Sequence, residues 1–160
     1  MTREHIQWAL SEIGEATPMR FDCGRLCGAA CCAADEDGKG GLYLLPDEAQ
    51  CMGYVDWGDI ERDNFGKMLV CEADCDRERR PFACRIFPLT PFRRADGTWS
   101  VRMDARARPI CPLVRWGIQG LDPRFTQGVL CAVRALAQTA EGEAFLDRWQ
   151  ALEAQYRFEL

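Results

Sequence analysis

Apolar residues in the first fifteen positions recur at helical steps. Ile6, Leu10 and Ile13 are four and three apart, with polar residues between them. That period places one apolar stripe on a helix over residues 3–15. Thr2 offers an N-cap oxygen ahead of it, and Gly14 with Thr17-Pro18 ends it. The pattern then breaks: residues 33–41, Ala-Ala-Asp-Glu-Asp-Gly-Lys-Gly-Gly, are loop by composition. The apolar run 42–45 predicts a short buried strand. Pro46 then opens a helical turn from Asp47 to about Met52, because proline suits the first helical position. Residues 53–64 are mixed and polar, and residues 65–71 predict a strand.

Two further strands, 89–93 and 98–103, flank Ala95-Asp96-Gly97, where Asp-Gly supplies the positive φ of a tight hairpin turn. From Leu121 the pattern is helical again. Asp122-Pro123 caps a helix to about Gln138. A last helix begins near Gly142 and carries Phe145, Leu146, Trp149, Leu152 and Tyr156 on its apolar side. The elements predict an α+β fold in one domain over 1–160. Short antiparallel strands would make a cysteine-rich metal-binding core at about 21–112, flanked by an N-terminal helix and a helical part at 121–160. Apolar residues make up 48% of the chain, enough for a hydrophobic core.

Ten cysteines in 160 residues change the picture. They imply either a disulfide framework or a metal or redox centre. The N-terminal residues lack the apolar run of a signal peptide, and no stretch approaches the roughly 20 apolar residues of a membrane span. The expectation is a cytoplasmic protein without a membrane partner, in which thiols stay reduced. A chain of this length also has little need of disulfide staples. Ligation is therefore the preferred reading.

The thiols fall in two groups. The first is Cys23-x3-Cys27-x3-Cys31-Cys32; the second is Cys71-x3-Cys75, then Cys84, with Cys111-Pro112 further on. A soft divalent metal or an iron–sulfur cluster needs thiolates that converge on one point, and close spacing supplies several from one loop at low entropic cost. Glycines after Cys23 and Cys27 let the backbone bend there. Eight thiols suit two four-ligand sites, or one site with spare thiols. Cys51 and Cys131 stand apart and are read as core cysteines. The rival reading, helical turns with buried apolar cysteines, does not account for four thiols in ten residues.

Charge sharpens this. The net charge of −5 argues against a general nucleic-acid binder. From Arg77 to Arg115, however, there are ten arginines, no lysine and three acids, a balance of +7 against −12 elsewhere. A divalent metal with four thiolates carries −2, so arginines nearby would stabilise such sites. Arg80 and Arg85 are assigned that cofactor-supporting role; Arg93, Arg94, Arg106 and Arg108 are left open.

These motifs resemble the YkgJ-type cysteine-cluster family, described as a zinc- or iron-chelating domain. The resemblance rests on the cluster ending in Cys31-Cys32 and on Arg80-Pro81-x-x-Cys84-Arg85-x-Phe87-Pro88. It covers about residues 21–112, including Cys71, Cys75 and Cys111-Pro112, and leaves out the C-terminal helices. It implies a metal site more directly than any reaction, although some members are described as iron–sulfur proteins.

His5 is the only histidine and is read as a surface or capping residue, which leaves no Ser-His-Asp or Cys-His pair evident. Asp35-Glu36-Asp37 lacks the spaced ligands of a calcium loop, and Gly38-Lys39-Gly40-Gly41 lacks P-loop spacing. The five tryptophans are scattered and read as core and hairpin residues. The expected function is therefore metal binding, with zinc or an iron–sulfur cluster as cofactor. The alternatives are an iron–sulfur redox enzyme or electron-transfer partner, and a zinc-stabilised protein- or nucleic-acid-interaction module.

Overall fold

The computed structural model describes residues 1–32, 41–71, 75 and 77–158. The first helix, α1 (Arg3–Ile13), starts where its sequence places it: Thr2 Oγ1 accepts the backbone N–H of His5 at 3.3 Å. It buries Ile6, Ala9 and Ile13. Its partner is α5 (Pro123–Leu136), capped by Asp122, whose carboxylate accepts the Arg124 N–H at 2.8 Å. Phe125, Val129, Ala132, Val133 and Leu136 of α5 are buried. The two helices approach closely at Gly128. A Cβ there would lie 2.7 Å from the Glu12 carbonyl oxygen and 3.2 Å from Ile13 Cα. His5 also bridges this pair, with Nε2 2.8 Å from the Ala135 carbonyl oxygen. The lone histidine is thus a half-buried helix-to-helix tie rather than a surface or capping residue.

The hairpin forms as its turn predicts. Strands β4 (Leu89–Arg93) and β5 (Trp99–Met103) pair antiparallel, Leu89 opposite Met103 and Arg93 opposite Trp99, with Gly97 at φ 85° in the turn. Helix α6 (Ala140–Phe158) packs on it through Phe145, Leu146 and Trp149. Tyr156, assigned to the apolar side, is exposed, while Glu153 is buried. Glu153 accepts from Arg102 Nη2 at 2.6 Å and from the Ala105 N–H at 3.3 Å. Arg93 meets Glu143 at 2.8 Å and Asp147 at 3.1 Å, and Arg106 meets Asp104 at 2.6 Å. Much of the arginine excess therefore docks α6 and fixes the loop after the hairpin.

A second sheet has the order β1-β3-β2, with β1 (Gly41–Tyr43) and β2 (Gly58–Arg62) antiparallel to the central β3 (Lys67–Cys71). Its first strand ends earlier than the apolar run 42–45 predicts, and Leu44 and Leu45 continue inward as buried loop residues. Pro46 lies in a turn rather than at the first helical position. Asp47 follows at φ 68°, and α3 (Glu48–Met52) begins after it. Strand β2 falls where the sequence is mixed and polar. The loop read at 33–41 lies outside the described residues up to position 40.

Two hydrophobic clusters result. The larger joins α1, the hairpin, α5 and α6; the smaller gathers Leu44, Ala49, Val55, Trp57 and Leu69, and Leu42 packs against both. Trp57, Trp99 and Trp149 are core residues as expected, whereas Trp8 and Trp116 are exposed. Among the described residues no helix is long and apolar enough to cross a membrane. The fold is α+β, with short antiparallel strands and helices at both ends of the chain.

Candidate metal centre

Three chain segments bring the thiols together. In the first, a single helical turn, α2 (Gly24–Cys27), sets Cys23 and Cys27 four residues apart on one side. Cys27 Sγ lies 3.9 Å from the Cys23 carbonyl oxygen. Gly28 closes the turn at φ 61°, so the bend expected of this glycine is present. A 3-10 turn, Ala30–Cys32, follows and presents the adjacent pair.

The second segment runs from Cys71, the last residue of β3, through Cys75 to α4 (Phe82–Ile86), which carries Cys84. A buried carboxylate anchors α4. Glu48 Oε1 accepts the Phe82 N–H at 2.7 Å, and Oε2 accepts the Leu45 N–H at 2.8 Å. Burial pushes the Glu48 carboxyl up to about 7, against the two backbone hydrogen bonds and the Arg85 charge, which lower it. Nothing in the local sequence marks this residue, because one of its partners lies 34 positions away. The third segment is Cys111, whose N–H reaches the Ala107 carbonyl oxygen at 2.7 Å and which precedes the 3-10 turn Pro112–Trp116.

Cys23, Cys27, Cys31, Cys84 and Cys111 line one small cavity of about 40 Å³, together with Arg80, Arg85, Phe87 and Pro88. The remaining thiols join it through their neighbours. Cys32 accepts hydrogen bonds from the Cys31 and Cys84 thiols and lies within electrostatic reach of Arg80 and Cys71. Cys71 in turn senses Cys75, and Cys111 senses Cys27. Five of the eight thiols chosen from the sequence thus line one cavity, Cys32 bonds two of these, and Cys71 and Cys75 lie within electrostatic reach of Arg80. These thiols lie at the seam of the two cores: Cys23 and Cys111 pack against the larger, Cys71 and Cys75 against the smaller.

The electrostatics focus on Cys32. Hydrogen bonds from Cys31 and then Cys84, with the Arg80 charge, draw its thiol down to about 3. Cys31 and Cys84 move up in response, each chiefly through its hydrogen bond to Cys32 and then through burial. Desolvation raises Cys71 to about 11. Arg80 hydrogen-bonds Cys75 and lies within electrostatic reach of Cys84 and Cys32. Its Nε is buried without a hydrogen-bond partner among the described residues. Arg85 lines the same cavity, but its charge bears on Glu48 and its Nη2 points at the Glu78 carbonyl oxygen, 3.5 Å away. Arg80 and Arg85 also form one wall of a second cleft of about 500 Å³, which Cys51 and Glu48 line as well.

All ten cysteines are free thiols. The two set aside are half-buried rather than fully enclosed: Cys51 packs on the larger core, and Cys131 Sγ accepts from Gln127 Nε2 at 3.3 Å. Among the described residues, no three His, Cys, Asp or Glu side chains converge as a ready-made metal site. The thiols are a string of neighbours rather than a closed polyhedron. The donor chemistry, soft sulfurs beside a guanidinium whose Nε has no partner among the described residues, is of the kind a thiolate-bound metal centre uses. No family model matches this chain, and comparison with curated proteins and with solved structures found no similar protein.

Proposed function

We propose that this protein binds a metal centre, zinc or an iron–sulfur cluster, through thiolates drawn from Cys23, Cys27, Cys31, Cys32, Cys71, Cys75, Cys84 and Cys111. The observation that carries the reading is the cavity that Cys23, Cys27, Cys31, Cys84 and Cys111 line together with Arg80, with Cys32 and Cys75 beside that arginine, in a chain of ten free cysteines. The resemblance of the Cys23–Cys32 and Arg80–Pro88 motifs to the YkgJ-type family supports it.

Zinc would cross-link the segments, whereas an iron–sulfur cluster would add electron transfer. The chain's own residues do the rest. Arg80 offsets the negative charge of the gathered thiolates, and Glu48 fixes the start of the helix that presents Cys84. Leu26, Phe87, Pro88 and Leu113 give the cavity apolar walls, which raise the strength of each charge contact inside it.

Metal and acid-labile sulfide analysis with a visible spectrum, on protein purified anaerobically, tests the reading. Stoichiometric zinc in a colourless protein supports a structural or carrier centre. Iron with sulfide and a broad absorption that bleaches on reduction supports the redox version. Protein with every thiol free and no stoichiometric zinc or iron overturns both.

A further inference from the structure

The surface around the thiol cavity differs from the rest of the molecule. Among the described residues eight large apolar side chains are exposed, and four of them lie on the two segments 17–32 and 108–116. These segments are about a sixth of the chain, yet they hold Phe21 (52% exposed), Leu26 (47%), Ile110 (41%) and Trp116 (46%). Leu26 and Ile110 line the cavity directly, beside Cys27 and Cys111. The charges on the same segments are almost of one sign: Arg20, Arg25, Arg108 and Arg115 are exposed, against a single acid, Asp22. Asp22 is engaged with the Gly24 N–H at 3.1 Å. Arg115 lies over the Trp116 ring, its guanidinium carbon 4.2 Å from the ring centroid.

Isolated exposed apolar residues are ordinary, but here two of them line one cavity and two more lie on the same segments that border it. Aromatic residues and arginine are the side chains enriched at protein interfaces. A net-cationic apolar rim on a chain of net −5 selects a partner of opposite sign. We propose that the segments 17–32 and 108–116 form a docking surface for an acidic protein, which reaches the thiol cavity over Leu26 and Ile110. This deepens the metal reading and rests on it for what passes between the two proteins; the surface itself stands on exposure and charge.

Photo-crosslinking in cells that produce the protein tests it. Phe21→benzoylphenylalanine and Trp116→benzoylphenylalanine should give adducts with the same protein, of acidic sequence. Tyr54→benzoylphenylalanine, more exposed but on neither segment, should give none. The double reversal Arg25→Glu/Arg115→Glu should cut the Trp116 adduct at least tenfold, and Arg108→Glu alone should weaken it. Metal content of both reversal variants should equal that of the parent, which separates lost docking from a lost fold. The proposal is overturned by the absence of an adduct, by one equally strong at Tyr54, by one insensitive to charge reversal, or by an adduct that is RNA or a second copy of this chain. A clean acidic-protein adduct from a protein that holds no metal would remove the metal reading and leave the docking surface standing.

Discussion

Glu48 and Phe82 are joined by a hydrogen bond of 2.7 Å from the Phe82 backbone N–H to a fully buried carboxylate. This contact ties the start of α3 to the helix carrying Cys84. Burial lifts the Glu48 carboxyl from 4.5 to about 7. The folded state then holds a proton that the unfolded state releases between these two values. Stability is full below the unfolded value and falls as pH rises through about 7. At 1.36 kcal/mol per unit the loss is on the order of 3 kcal/mol. Urea midpoints should therefore fall from pH 5 to pH 8 in the parent, and Glu48→Gln should flatten that profile. Parallel profiles for the two proteins would refute the assignment.

Substituting Cys84 or Cys27 by serine should remove metal and lower the melting temperature, since binding and folding are coupled at such sites. Cys51→Ser and Cys131→Ser should keep the parental metal content. Metal analysis and thermal unfolding of the four variants check this, and equal metal content in all four would contradict the ligand assignment.

Arg80→Gln should weaken metal retention by about 10- to 100-fold in a chelator competition, the range seen when a supporting group outside the ligand set is lost. Arg80→Lys should recover part of it, because a point charge replaces the guanidinium while the fork is lost. Unchanged retention in Arg80→Gln would show that the thiolates do not need this cation.

Two ion pairs under α6 should behave differently. Glu153 is 0% exposed and bonded to Arg102 and the Ala105 N–H, so Glu153→Ala leaves a buried group unpaired and should cost about 3 kcal/mol. Glu143 is 45% exposed beside Arg93, and Glu143→Ala should cost less than about 1 kcal/mol. Equal costs in denaturant unfolding would mean that burial does not set the scale here.

Gly128→Ala opposes two effects. Helix propensity favours alanine by about 1 kcal/mol. The added methyl would meet backbone of α1 at 2.7 Å, and overpacking of that kind costs about 1–3 kcal/mol. Packing should win, giving a lower melting temperature; a higher one would mean the helices separate freely.

The elements legible in the sequence were those whose signals are local. The Thr2 and Asp122 caps, the Asp96-Gly97 turn and the apolar stripes of α1 and α5 needed only neighbours in the chain. Short spacings grouped the thiols locally at 23–32 and 71–75, whereas the meeting of Cys23, Cys27 and Cys31 with Cys84 and Cys111 at one cavity depends on long-range contacts. What stayed hidden depends on distant partners. Strand β2 exposes four of its five residues and is held by pairing to β3, so it shows no alternation to read. Glu48 and Glu153 look like surface acids until residues 34 and 51 positions away enclose them. Of the arginines left open in the sequence, Arg93 pairs with α6 and Arg106 with Asp104, and Arg102 also pairs with α6, while Arg80 lies beside the thiols.

The seam between the two cores limits how this chain can be cut or borrowed. A fragment ending just after Cys111 would carry all eight thiols and none of α5 or α6, and would lack eleven of the twenty-one buried residues of the core on which Cys23 and Cys111 pack. The cysteine segment is therefore not a portable cassette. Grafted alone onto another scaffold it would bring the donors without the frame that spaces them, and a ribosome would have to release nearly the whole chain before the pocket took shape.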